Sequence, residues 1–390
     1  MLAEEMIQHL TKDLIPFWEQ LADEEYGGFY GYMGYDLKVD EKAVKGCILN
    51  SRILWFFSNA YLLLQKDSLL FYARHAYEFL KSHCLDKENG GVYWSVTFDG
   101  QPEETIKHTY NQAFAIYALS SYYDASKDEE ALELSKELFK LIETKCTDEW
   151  GYKEAFDEAF HTIDNEKLSE NGIVAEKTMN TLLHVFEAYT ELFRVSRENE
   201  VRERMRFILD IFAEHVYNRG QGRQKVFFDR KWNSLIDLYS YGHDIETAWL
   251  IDRGCEILGD EDCISKMGLI TKEITANIYD RAYVDSSLLN ESLDGIKDTT
   301  RIWWVQAEAV VGFLNGYEKC PGEPQYLEAA NAVWDYIKTC LIDPRSGSEW
   351  YWAVDQNRVP IKKPIVEPWK CPYHNGRMCF EVIRRIQHDS

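Results

Sequence analysis

An aromatic and glycine-rich stretch recurs six times along the chain: GGFYGY from Gly27, GGVYW from Gly90, WGY from Trp150, VFFD from Val226, YVD from Tyr283 and EWYW from Glu349. The spacing is roughly 57 to 76 residues, and a period of that size marks a repeat architecture before any single motif is considered. Large residues beside glycine read as short strands or hairpins. Between consecutive stretches lie two helical patterns, as in His108 to Ser121 followed by Asp128 to Glu143. The first is apolar nearly all round and must be buried; the second carries a charged stripe and belongs outside it. Five such pairs occur, plus an amphipathic helix over Leu2 to Leu21 and an apolar one over Asn375 to Ile386. These two complete a sixth pair. The expected fold is all-α: one (α/α)6 barrel over residues 1–390, six inner and six outer helices, short β-hairpins in the connecting loops, first and last helices side by side.

Aligning the inner helices on their first turn puts Arg52, Tyr110, Asn180, His243, Trp304 and His374 in register, spaced 58, 70, 63, 61 and 70 residues apart. Residues three or four apart share a helix face. His184, Glu246 and Glu308 therefore form a second layer a turn deeper, and Trp249 lies deeper again. Polar and aromatic groups crowding the mouths of hydrophobic helices describe a concave ligand site.

Composition narrows the ligand. With 43 basic against 66 acidic residues the net charge is −23, which argues against nucleic acid or an anionic membrane as partner. No apolar run approaches the roughly 20 residues of a membrane span, and the N-terminal segment lacks the form of a signal peptide. Nine cysteines without a CxxC pair suit a reducing cytoplasm, and a monomer is expected. Aromatic residues make up 14% of the chain. Trp304, Trp369 and Tyr373 beside the polar ring suit the C–H faces of sugars, while carboxylates and amides suit the hydroxyls.

Two imidazoles at one mouth suit acid/base work near neutral pH. One could remove the proton next to an aldehyde and the other return it from the opposite face, inverting C2 of an open-chain sugar. Arg52 and His184 are candidates for stabilising the enediolate. The His243 and Glu246 spacing could also be half of a metal site, yet no HExxH or HxH supplies the rest. His108 stays open between structure and site. His9, His75, His83, His161, His215 and His388 read as structural. An inverting glycoside hydrolase on the same barrel, an aldose–ketose isomerase and a non-catalytic sugar-binding protein remain alternatives.

The segments SRILWFFSNAY around Arg52, KHTYNQAFAIYALSSYY around Tyr110, KTMNTLLHVFEAYTELF around Asn180 and His184, SYGHDIETAWL around His243, RIWWVQAEAVVGF around Trp304 and PWKCPYHNGRMC around His374 resemble the N-acylglucosamine 2-epimerase superfamily over essentially the whole chain. Overall similarity points to its cellobiose-epimerising branch, with free N-acylglucosamine as the alternative substrate. The resemblance implies C2 epimerisation of the reducing-end glucose of β-1,4-linked disaccharides such as cellobiose and lactose, without metal or organic cofactor. It also implies His243 and His374 as the acid/base pair, Arg52 and His184 as enediolate-binding groups, and Glu246 as the carboxylate orienting His243. Tyr110, Asn180, Trp304, Glu308 and Trp369 would line the sugar site, with Trp249 supporting it.

Overall fold

The computed structural model describes residues 2–168 and 172–388; the side chains of Gln387 and His388 lie outside the description. Twelve helices are found among the described residues. The outer helices are α1, in three consecutive segments Leu2–His9, Leu10–Leu14 and Ile15–Glu19; α3 (Asp67–Phe79); α5 (Glu129–Lys145); α7 (Asn199–Ile211); α9 (Glu261–Ala282); and α11 (Gln325–Tyr336). The inner ones are α2 (Cys47–Leu64), α4 (Thr109–Ser126), α6 (Met179–Ser196), α8 (Tyr241–Leu258), α10 (Trp303–Lys319) and α12 (His374–His388). Each inner helix packs on the next, α12 returns to α2, and α1 lies against α12. The ring is closed, as the repeat predicts.

Burial explains the two layers. Every residue of α2 from Cys47 to Ala60 is buried, whereas α5 buries only Ala131, Leu132, Ser135, Leu138, Phe139 and Ile142, one face at helical spacing. At 18 residues α2 is long and apolar enough to cross a membrane on composition, contrary to the expectation from sequence, but it is largely buried in the ring between α4 and α12.

The strands do more than form local hairpins. The segment before each inner helix pairs antiparallel with a loop of the next repeat: Lys45–Gly46 with Ser95–Val96, Lys107–His108 with Ala155–Phe156, Lys177–Thr178 with Phe227–Phe228, Leu238–Ser240 with Glu291–Leu293, and Arg301–Ile302 with Ala353–Val354. A bridge between Met33 and Val366 closes the circle. The mouth of the barrel is thus a hoop of strand pairs.

Buried lysines clamp this hoop. Lys45 Nζ donates to Asp23 (2.5 Å) and to the Gly27 carbonyl (2.8 Å); Lys107 repeats this with Asp86 (2.7 Å) and Gly90 (2.8 Å), and Lys177 with Asp148 (3.1 Å) and Tyr152 (3.0 Å). Lys370 pairs with Glu349. Each Asp also accepts the backbone N–H that opens its glycine turn. Gly27, Gly28, Gly90 and Gly91 all take positive φ, which only glycine adopts cheaply.

Candidate active site

Where the inner helices begin, a cavity of about 440 Å³ opens. Arg52, Tyr110, Asn180, His184 and His243 line it, with Glu246, Trp304, Trp369 and His374. Trp249 and Glu308 do not. Both are buried behind the wall, where Trp249 Nε1 donates to Glu308 Oε2 (2.9 Å), so the direct sugar contact expected of Glu308 is corrected to a supporting place beside Trp249. Arg52 also departs from its expected register. It is the sixth residue of α2, as His184, Glu246 and Glu308 are of α6, α8 and α10, and so belongs to the deeper layer.

The indole of Trp304 stands between the two mouth imidazoles, its centre 4.8 Å from His243 and 5.2 Å from His374. Ser240 Oγ lies 2.7 Å from His243 Nδ1, and Glu308 Oε1 lies 2.7 Å from His374 Nδ1. Each ring is held at one nitrogen and offers Nε2 to the cavity. Burial lowers the pKa of both; the charges of Arg377 and Arg52 press His374 down further, and His184 adds to the lowering of His243. Burial lowers His184 too, against the opposing pull of Glu187, whose Oε2 is 2.8 Å from His184 Nδ1. At neutral pH the three rings are uncharged and can act as bases.

Glu246 does not reach His243, whose Nδ1 is taken by Ser240. One turn deeper, its carboxylate is drawn to Arg377, a buried guanidinium at the floor of the site. Arg377 Nη2 bonds Glu246 and Glu308 (2.6 Å to the latter), and Nη1 bonds Glu187 (2.5 Å) and the Tyr373 hydroxyl. Tyr373 donates in turn to Glu187 (2.5 Å). Burial alone would raise Glu187, but Arg377, His184 and Tyr373 hold it well below the usual carboxylate range. Burial and the neighbouring Glu308 push Glu246 up to about 8, and burial raises Glu308 against the pull of Arg377. This pair shares a proton near neutrality. Ligand atoms of Glu246, Glu308 and His374 fall within 4.8 Å of one another, a spacing open to a metal ion. Arg377 Nη2, bonded to both carboxylates, already supplies a cation there.

Arg52 is different. It has no carboxylate partner among the described residues: Nη2 donates to the Tyr110 hydroxyl (2.9 Å), Nη1 approaches Cys371 Sγ (3.8 Å), and the guanidinium stacks over Phe114 (4.2 Å). Its Nε and the Asn180 Oδ1 are buried without partners beside the cavity. A buried cation left unpaired is costly, and an anionic group in the cavity would offset that cost.

The N-acylglucosamine 2-epimerase family model matches residues 28–376. The chain belongs to this family. Like its relatives it is a carbohydrate epimerase. It is 53% identical to the cellobiose 2-epimerase of Ruminococcus albus over 99% of both chains, and 46% identical to that of Dictyoglomus turgidum, again over 99% of both. Among solved structures, the cellobiose 2-epimerase of Bacillus thermoamylovorans superposes with a TM-score of 0.96 at 45% identity, covering 98% of this chain and 99% of that one.

Several residues at this family member's site escape sequence reasoning. Arg377 and Glu187 each follow an expected residue by three, and Ser240 precedes His243 by three, so helical spacing could have flagged them. Lys167 and Leu168 reach the cavity from a loop, which carries no periodic signal, and Phe227 and Trp352 from two of the recurring aromatic stretches, whose repeat marks strands without saying which side chain faces the site. His108 proves to stand behind the wall: its Nδ1 accepts the Tyr110 N–H (3.3 Å) as the cap of α4, and burial lowers its pKa to about 4.

Proposed function

We propose that this epimerase inverts C2 of the reducing-end glucose of a β-1,4-linked disaccharide, with cellobiose and lactose as substrates and an enediolate as intermediate. One observation carries the reading: two neutral imidazoles, each tethered at Nδ1 and open at Nε2, flank Trp304 in one cavity. His243 Nε2 takes the C2 proton of the open-chain sugar and becomes imidazolium. His374 returns a proton to the other face from Nε2, while the Glu308 carboxyl passes its own proton to Nδ1. The pair ends as His243 imidazolium and Glu308 carboxylate. The reverse direction uses the same path with the roles exchanged. Negative charge forming on O1 and O2 falls beside Arg52, and His184 offers a further contact. A placed base is worth about 10²–10⁴ in rate and one oxyanion donor about 3–4 kcal/mol, so several groups must act together.

Incubation with cellobiose in D₂O tests this. The expected product is glucosyl-mannose with deuterium at C2, and His243→Ala and His374→Ala should each abolish it while the fold persists. Product without label, or free glucose in place of the epimer, would overturn the reading.

A further inference from the structure

Residues 161–168, between α5 and α6, run along the surface, and all of them are exposed or half-exposed except Asn165, which is 2% exposed. Its Oδ1 accepts from His108 Nε2 (3.0 Å) and from the Leu168 backbone N–H (3.1 Å), and its Nδ2 donates to Glu154 Oε2 (3.5 Å). Both anchors bond the helix starts that carry the site. His108 caps α4 just ahead of Tyr110. Glu154 accepts the Thr178 N–H (2.7 Å) and the Thr181 hydroxyl (2.6 Å), on either side of Asn180. Three residues beyond the pin, Leu168 lines the cavity. Lys167 also lines it, held over Trp94 and paired with Glu104.

We infer that Asn165 is a positioning residue that pins Lys167 and Leu168 as the outer wall of the cavity, where they meet the second sugar of the substrate. This rests on the disaccharide reading above. With the reducing end at the imidazoles, the glycosidic partner extends toward the open rim, and that is where these two side chains stand. Asn165 touches no reacting atom. A side-chain amide is suited to the task because one oxygen must accept from two donors while the nitrogen gives to a carboxylate.

Cellobiitol, whose reduced end cannot react, probes this by calorimetry on the full chain, beside steady-state kinetics with cellobiose. Asn165→Ala should weaken cellobiitol about tenfold and raise KM to match, with kcat changed less than about twofold. Leu168→Ala leaves the pin intact and should do the same, which keeps the test open if Asn165→Ala does not fold. Glucitol, one sugar shorter, should bind parent and variants alike. Unchanged cellobiitol affinity in either folded variant, an equal loss for glucitol, or a fall in kcat at constant KM overturns the assignment. If the parent turned over no cellobiose yet bound cellobiitol and lost it on Asn165→Ala, the proposed reaction would fall and the pin would stand.

Discussion

Replacing Arg377 by methionine removes the one cation shared by three buried carboxylates while keeping most of the side-chain volume. Arg377 is 1% exposed, and its partners Glu187, Glu246 and Glu308 are equally enclosed. Breaking a buried ion pair by deleting one partner costs about 3–5 kcal/mol, because the surviving charge has neither water nor counter-ion. For 390 residues the unfolding entropy is roughly 0.8 kcal/mol per kelvin, so Tm at pH 7 should fall by about 4–6 °C. The direction with pH follows from linkage. In the parent, Glu187 titrates below its unfolded value near 4.3, and its contribution is lost only as the solution becomes strongly acidic. Glu246 and Glu308 already lie above that value in the parent; in Arg377→Met they rise further and Glu187 loses its main counter-charge and moves up as well, so the variant loses more stability than the parent as pH climbs from about 4. The gap between parent and variant should therefore be smaller at pH 5 than at pH 7. Thermal unfolding at both pH values measures it. A gap of the same size at the two pH values, or a variant as stable as the parent, would refute the idea that Arg377 is held by charge.

The pH profile of kcat/KM should be broad. His243 and His374 are both pushed below the ordinary imidazole value, so the acid limb should lie below pH 6.5, where the bases finally take up protons. On the alkaline side the proton shared by Glu246 and Glu308 is lost near pH 8, and activity should decline above it; Glu246→Gln removes the like charge that holds this proton and should move that limb downward, and an unmoved limb would assign it elsewhere. Gly242→Ala places a methyl 2.6 Å from Trp304 Cη2 and 2.7 Å from Val305 Cγ2, against the indole that separates the two histidines. Overpacking of this kind costs about 1–3 kcal/mol and should cut kcat far more than an exposed substitution such as Gly268→Ala, where the methyl meets nothing; equal activity of the two would show that the indole's place is not critical.

The twelve helices were legible because burial writes itself into periodicity: α2 faces protein on all sides and α5 on one, and their apolar patterns differ accordingly. Register was harder. Spacing alone put Arg52 beside Tyr110, yet Arg52 lies a turn further along its helix and meets Tyr110 only through the reach of its guanidinium. The charge network escaped for a related reason. Arg377 reads in the sequence as one more basic residue of a C-terminal helix, and only closure of the ring brings Glu187, Glu246 and Glu308 from three other helices onto it. Loop residues such as Leu168 were illegible, since their place depends on side chains far away in the chain.

The lysine clamps also bear on how a barrel like this can change. Those of Lys45, Lys107 and Lys177 each fasten a turn to the foot of the following inner helix, so these three crossovers carry their own anchors and borrow little from the others. Exchanging one of these three rim segments between relatives, together with its aspartate and lysine, should leave the other crossovers undisturbed. Substrate preference can then drift one crossover at a time while the helical wall stays as it is.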